Sequence, residues 1–304
     1  MQAIQLLHTK KVYKKKFNAK FKEHFFAYLF IAIPVLGFLM FTAYALGYSL
    51  FMSMTNFNAI KGTYKFVGFE NYIDIFKEEN FRTATLNTIL MLASIPVGVF
   101  IGLILAVYLK RLAKGRTLLT ILFYLPAVTS SIAIMIVFKE LFKNGESGLI
   151  NSLFGTKLNW ISNDPWLIKI AIVIKNVWAG IGGTMILYLA GLNNIPDSYY
   201  EVARVQGASR WQQFVDITLP MSNSTSFYLI VTGVISGLQN YADSQVMGAG
   251  LPGARTIVYY IWNYGINQSR YGWASAASIL LAIIILCITI ILFSKSNIFK
   301  DVRK

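Results

Sequence analysis

The segment of this 304-residue chain with the most specific spacing reads Asn194-Ile-Pro-Asp-Ser-Tyr-Tyr-Glu-Val-Ala-Arg-Val-Gln-Gly-Ala-Ser-Arg-Trp-Gln-Gln-Phe-Val-Asp-Ile-Thr-Leu-Pro220. Pro196 stops what precedes it. Ser198 and Glu201 stand in the S-x-x-E relation of a capping box, in which hydroxyl and carboxylate satisfy each other's free amides. Ala203 and Gly207 are four apart, so one helix face is nearly bare, and Gly207 weakens the helix and permits a bend. Phe214, Ile217 and Leu219 return the chain to apolar surroundings, and Pro220 breaks it again. A bare face beside a carboxylate suits insertion into a partner's groove. An ordinary connecting helix with a good cap would look the same, and the residue types alone do not separate the two.

A second set of candidates consists of polar residues inside apolar runs. Such groups are costly in a bilayer, so they mark helix packing or a substrate route. They are Ser130, Ser131, Asn176, Trp178, Gly180, Gln239, Asn240 and Asp243. Asn, Gln and Asp offer the donors and acceptors that polyhydroxylated solutes need, and Trp178 offers a flat apolar face. Hydrogen bonding between helices is the competing explanation for each. Gly98-x3-Gly102 and Gly233-x3-Gly237 fit the small-x3-small pattern of close helix contact and are assigned to packing.

Enzymatic chemistry finds little support. The chain contains no Gly-Lys dipeptide, which excludes a G-x-x-x-x-G-K-[ST] phosphate cradle, and no G-x-S-x-G elbow. One cysteine, Cys287, and two histidines, His8 and His24, leave no metal-ligand constellation. No catalytic residue, metal or resident cofactor is expected. Any uphill movement of a solute must draw energy from another chain or an ion gradient.

The elements that position these residues follow from composition. The chain is 56% hydrophobic and 13% charged, whereas soluble domains carry about 25% charged residues. A bilayer core about 30 Å thick takes roughly 20 apolar residues per helix. Six runs qualify: Phe25–Met52, Leu86–Leu109, Thr117–Val137, Leu167–Leu192, Phe227–Met247 and Ala274–Phe293. The first is too long for a signal-peptide core, and no small-residue cleavage site follows it.

The net charge of +15 is distributed unevenly. Seventeen of the 28 Lys and Arg fall in the N-terminal tail, the loops after runs two and four, and the C-terminal tail, with only five acids. Lys/Arg-rich loops are cytoplasmic, so both termini and the Glu201 loop are expected inside. Trp160, Trp166, Trp262 and Trp273 then fall on the outer side as an interfacial belt. The layout expected is a basic tail over 1–24, a first span over 25–54, an outer loop over 55–85, a five-helix core over 86–293 containing a helix at about 197–210, and a tail over 294–304.

The 201–220 segment resembles the E-A-A-x3-G-x9-I-x-L-P signature of bacterial ATP-binding-cassette (ABC) importer permeases, with Glu201, Ala203, Gly207, Ile217, Leu219 and Pro220 at the required spacings. Val202 replaces the middle alanine, and Gln206 replaces an acidic residue often found before the glycine, removing a charge from the partner-facing surface. Leu125-Pro126, Asn176-Val-Trp178 and Tyr271-Gly-Trp273-Ala-Ser-Ala276 are similar to the carbohydrate-uptake subgroup of maltose, raffinose and glycerol-phosphate type. The resemblance implies an all-α membrane protein with six transmembrane helices, both termini cytoplasmic, and a type I importer (MetI-like) core in the bacterial cell membrane. It implies a helix coupling the chain to an ATPase through Ser198, Tyr200, Glu201, Ala203, Gly207 and Ala208, and a substrate route through the polar positions of runs three to five. The implied partners are a second related permease, an ATPase dimer carrying ATP and Mg, an extracellular sugar-binding protein and the carbohydrate itself, with no nucleic acid. An amino-acid or peptide importer, in which an isolated Asp243 meets an amino group, is the alternative. An ion-coupled carrier would instead show paired intramembrane charges and an inverted repeat.

Overall fold

The computed structural model describes residues 24–60, 62, 64–112, 114–162, 164–248 and 250–295. Most of the N-terminal tail, including His8, and the end of the C-terminal tail lie outside these residues. The chain divides into two units, Met1–Met52 and Ser53–Lys304. The first contributes most of helix α1 (His24–Ser53, 30 residues), whose most apolar window has no buried residue. A helix apolar on every side is suited to lipid.

The second unit is helical, with one isolated bridge between Thr55 and Phe66. Among the described residues its α-helices of four residues or more are α2 (Glu70–Lys77), α3 (Glu79–Met91), α4 (Ser94–Arg111), α5 (Arg116–Val128), α6 (Ser131–Leu141), α7 (Leu149–Phe154), α8 (Pro165–Asn193), α9 (Asp197–Val205), α10 (Arg210–Gln213), α11 (Asn223–Leu238), α12 (Ile257–Trp262) and α13 (Tyr271–Lys295).

Among the described residues four helices are long and apolar enough to cross a membrane: α1, the Glu79–Arg111 pair α3 and α4, α8 and α13. The third predicted run makes a fifth only if α5 and α6, bent 95° to one another, are one broken span. Pro126 sits in the last turn of α5, Thr129 is extended with its hydroxyl on Leu125 O at 2.8 Å, and Ser130 restarts the helix from an extended conformation. The fifth predicted run also departs from one continuous helix. Its 16-residue α11 reaches about 24 Å at 1.5 Å per residue. Beyond it Gln239 and Asn240 leave the helix and a π-helical turn follows at Asp243–Met247. This is the run that carries the most polar residues.

α8 is the spine. Asp164 accepts from Trp166 N at 2.8 Å and Pro165 holds the first turn. Its 29 residues pack against α4 on one side and α5 on the other. Close approach is set by glycine. A Cβ on Gly102 would meet Thr184 Cγ2 at 2.5 Å, and one on Gly182 would meet Phe123 O at 2.2 Å. Gly233 and Gly237 abut Ile95 and Leu92 in the same way, but Gly98 has nothing within 4 Å. The two predicted glycine pairs therefore supply packing at three of four positions.

Candidate functional site

Two regions bring the sequence candidates together. The first is the connection between α8 and α11. Helix α9 starts at Asp197 with Pro196 in the cap position and no side-chain cap. Ser198 is already inside the helix, so the expected Ser198–Glu201 box does not form; a capping hydroxyl must come from the extended residue before the first turn. The box sits one helix later, where Ser209 Oγ accepts from Gln212 N at 3.3 Å and Gln212 Oε1 accepts from Ser209 N at 2.7 Å.

Nor does the helix continue to 210. It stops at Val205 in a Schellman turn: Gly207 N donates to Arg204 O at 3.0 Å and Ala208 N to Ala203 O at 2.9 Å, with Gly207 at φ 80°. Gly207 ends the helix where a bend was expected. Ser198, Tyr199, Glu201, Val202, Val205 and Gly207 are exposed, while Tyr200, Ala203 and Ala208 are half-buried. Tyr200 is fixed by a 3.1 Å bond to Thr218 Oγ1 and by Lys110, whose Nζ lies 5.5 Å from its ring. Lys110 also donates to Leu192 O at 2.7 Å. A groove of about 740 Å³ runs along this face, where Tyr200, Glu201 and Ala208 stand among Lys110, Arg111, Arg204 and Arg210.

The second region is a cavity of about 260 Å³ between α4, α8 and α11. Asn176, Gly180, Asn240 and Asp243 line it, together with Ser94, Thr184, Ser236 and Thr256. Asp243 is 1% exposed and fully engaged. Lys175 Nζ donates to its Oδ1, and Asn176 Nδ2 and Asn240 Nδ2 each donate to Oδ2 at 2.9 Å. Asn240 Oδ1 accepts from Asp243 N at 3.2 Å, closing the turn. Behind it, Thr256 Oγ1 donates to Asn240 O and Ser244 Oγ to Ala254 O, both at 2.7 Å. Asn87 Nδ2 and Thr88 Oγ1 on α3 bond the backbone of the same 252–257 stretch.

Other candidates lie elsewhere. Gln239 is exposed at the end of α11, and Ser130 is exposed at the α5–α6 break. Ser131 lines a separate cavity of about 180 Å³ with Pro126, Thr129 and Lys175. Trp178 packs against Phe138 with ring centroids 5.3 Å apart.

Sequence reasoning missed Lys175, which is 4% exposed. A cation inside an apolar run was the available signal. Asp243 is therefore not isolated, and this chain has the intramembrane charge pair that the sequence reading reserved for an ion-coupled carrier.

At the α12 end, Tyr260 and Tyr264 both donate to Glu78, and Trp273 Nε1 donates to Tyr260 Oη. Burial, reinforced by the Glu78 carboxylate, pushes the Tyr260 hydroxyl well above its ordinary range, so it stays a donor.

A helical bundle of apolar spans around a polar cavity, with a turn-terminated helix projecting from one connection, defines a multi-pass membrane protein built to pass or hold a polar solute. Residues 98–303 match the family described as binding-protein-dependent transport system inner membrane component, and the chain belongs to that family. It is 33% identical to the probable ABC transporter permease protein YesP of Bacillus subtilis, covering 93% of this chain and 94% of that one. It is 31% identical to the arabinooligosaccharides transport system permease protein AraP of Bacillus subtilis, covering 90% and 89%. A crystal structure of a bacterial ABC transporter involved in the import of the acidic polysaccharide alginate contains a chain that superposes with a TM-score of 0.78 at 26% identity, covering 90% of this chain and 95% of that one.

Proposed function

We propose that this chain is one of two related permeases in a binding-protein-dependent ABC importer that carries an oligosaccharide into the cell on ATP hydrolysed by a separate subunit. The observation that carries the reading is the α8–α9–α11 arrangement. A 29-residue helix that lines a polar cavity midway leads directly into an exposed helix bearing Glu201 and ending at Gly207. The family profile supports dependence on a binding protein, and the arabinooligosaccharide relative supports a carbohydrate cargo.

In this reading both termini and α9 are cytoplasmic, and α5–α6 and α11 with its π turn complete six crossings. α9 seats in a cleft of the ATPase dimer, with Glu201 against a polar or basic group. Closure of that dimer moves α9 as a rigid piece and swings α8 and α11, opening the cavity alternately to the two sides. The binding protein delivers the sugar from outside.

The arabinooligosaccharide relative favours a sugar over the amino-acid alternative. The test is import of radiolabelled oligosaccharides by proteoliposomes holding the chain with the partners encoded beside it. ATP-dependent sugar uptake, lost in Glu201→Lys while the chain remains inserted, is expected. Uptake of amino acids or peptides but no sugar would refute the reading.

A further inference from the structure

The geometry points to a charge filter in the cavity wall: the Lys175–Asp243 pair admits uncharged sugars and rejects acidic ones. The inference rests on the carbohydrate reading above. Among the described residues lining the 260 Å³ cavity, Asp243 is the only ionisable one. The neighbouring cation, Lys175, does not line it. Its ammonium is turned to Asp243 Oδ1, and its side chain borders the smaller cavity with Ser131. A solute in the larger cavity therefore meets a carboxylate with its compensating cation placed behind it.

Hydroxyls suit that wall. They set no like charge against Asp243, and the remaining lining offers them the polar side chains of Ser94, Thr184, Ser236 and Thr256. A uronate would instead set its own carboxylate against Asp243 in a region of low dielectric, where like charges repel strongly. The donors that could have received it, Asn176 Nδ2, Asn240 Nδ2 and Lys175 Nζ, are spent on Asp243. The solved alginate importer, of the same fold, is involved in the import of an acidic polysaccharide. The fold therefore does not dictate the charge of the cargo, and wall residues are left to decide it.

The experiment uses the chain copurified with its partner permease and ATPase in nanodiscs, without the binding protein, so that delivery does not bias the result. Equilibrium dialysis compares radiolabelled arabinobiose and maltose with digalacturonate. The wild-type complex should favour the better neutral sugar over digalacturonate by about tenfold or more, equivalent to about 1.4 kcal/mol. Asp243→Asn removes the carboxylate and turns the ammonium toward the solute, so the ratio should fall at least about tenfold, with the gain in digalacturonate binding suppressed by salt.

Because Asp243→Asn leaves a buried cation without its partner, Lys175→Gln/Asp243→Asn is measured beside it; it keeps the wall neutral and should give an intermediate ratio. An unchanged ratio in the folded single variant, or in the double variant where the single does not fold, overturns the filter. Equal wild-type binding of neutral and acidic sugars overturns the filter alone. Binding of neither overturns the carbohydrate reading and the filter with it.

Discussion

Gly207 is a position where the backbone itself demands a particular residue. Its φ of 80° lies in the left-handed region, which costs an L-residue roughly 1–2 kcal/mol. The space around it is open, since a Cβ would meet nothing within 4 Å. In the isolated chain the penalty of Gly207→Ala is therefore conformational, with no steric part. At about 1.4 kcal/mol per decade, the Schellman-capped form of α9 should lose a factor of roughly 5–30 against forms in which the last turn is open. Asn tolerates this conformation better than Ala, and a β-branched residue tolerates it worst.

The expected order of ATP-driven uptake is Gly > Asn > Ala > Val, with normal yield of inserted chain throughout because α9 contributes no buried residue. Coupling would be read as import per ATP hydrolysed, together with copurification of the ATPase. If Asn proves as damaging as Val, the glycine is needed because a partner approaches it closely, and the strain argument fails. If Ala and Val match Gly, the fixed end of α9 has no part in coupling.

Two further outcomes follow from the same geometry. Gly182→Ala, whose Cβ would strike the Phe123 carbonyl at 2.2 Å, should sharply lower folded yield and thermal stability, whereas Gly180→Ala, with nothing within 4 Å, should fold normally or gain up to about 1 kcal/mol from helix propensity; equal yields would refute the packing reading. Because burial and the Glu78 carboxylate hold the Tyr260 hydroxyl above the ordinary tyrosine range when folded, its stabilisation is intact below that range and is lost as pH rises through it; scanning calorimetry should show an alkaline loss that Tyr260→Phe reduces.

The sequence exposed the features that repeat along the chain, and hid those that depend on residues far apart meeting. Apolar length located the runs, and the Ala203–Gly207–Ile217 spacing located the projecting helix. The break at Thr129–Ser130 was legible in principle, since Pro126 stands one turn before it, but an apolar run with one proline also describes a kinked continuous helix. The wrong cap at Ser198 came from reading Pro196 as a stop placed before the cap, when it occupies the cap position itself. The Lys175–Asp243 pair spans 68 residues of sequence, and nothing in either local pattern says that the two side chains meet.

The same pair joins the two regions mechanically. α8 runs without a break from Pro165 to Asn193, so Lys175 and Asn176 sit about 27 Å along the axis from the end that feeds α9. The other end of the connection returns through Pro220 into α11, which Tyr188 and Ser226 tie to α8 by a 2.7 Å bond. Those two helices wall the cavity together with α4, and the Asn240–Asp243 turn closes it at the far end of α11. Breaking a buried ion pair by removing one partner costs about 3–5 kcal/mol. Separating the Asp243 turn from α8 would likewise leave both buried charges without their partners. On the proposed reading, a displacement applied at α9 would move α8 and α11 together, and the yielding contacts would be those that the two make with other helices. The glycine-mediated contacts at Gly102, Gly233 and Gly237 lie on the α4 side with no Cβ between the helices, and on the proposed reading they are where the cavity would open.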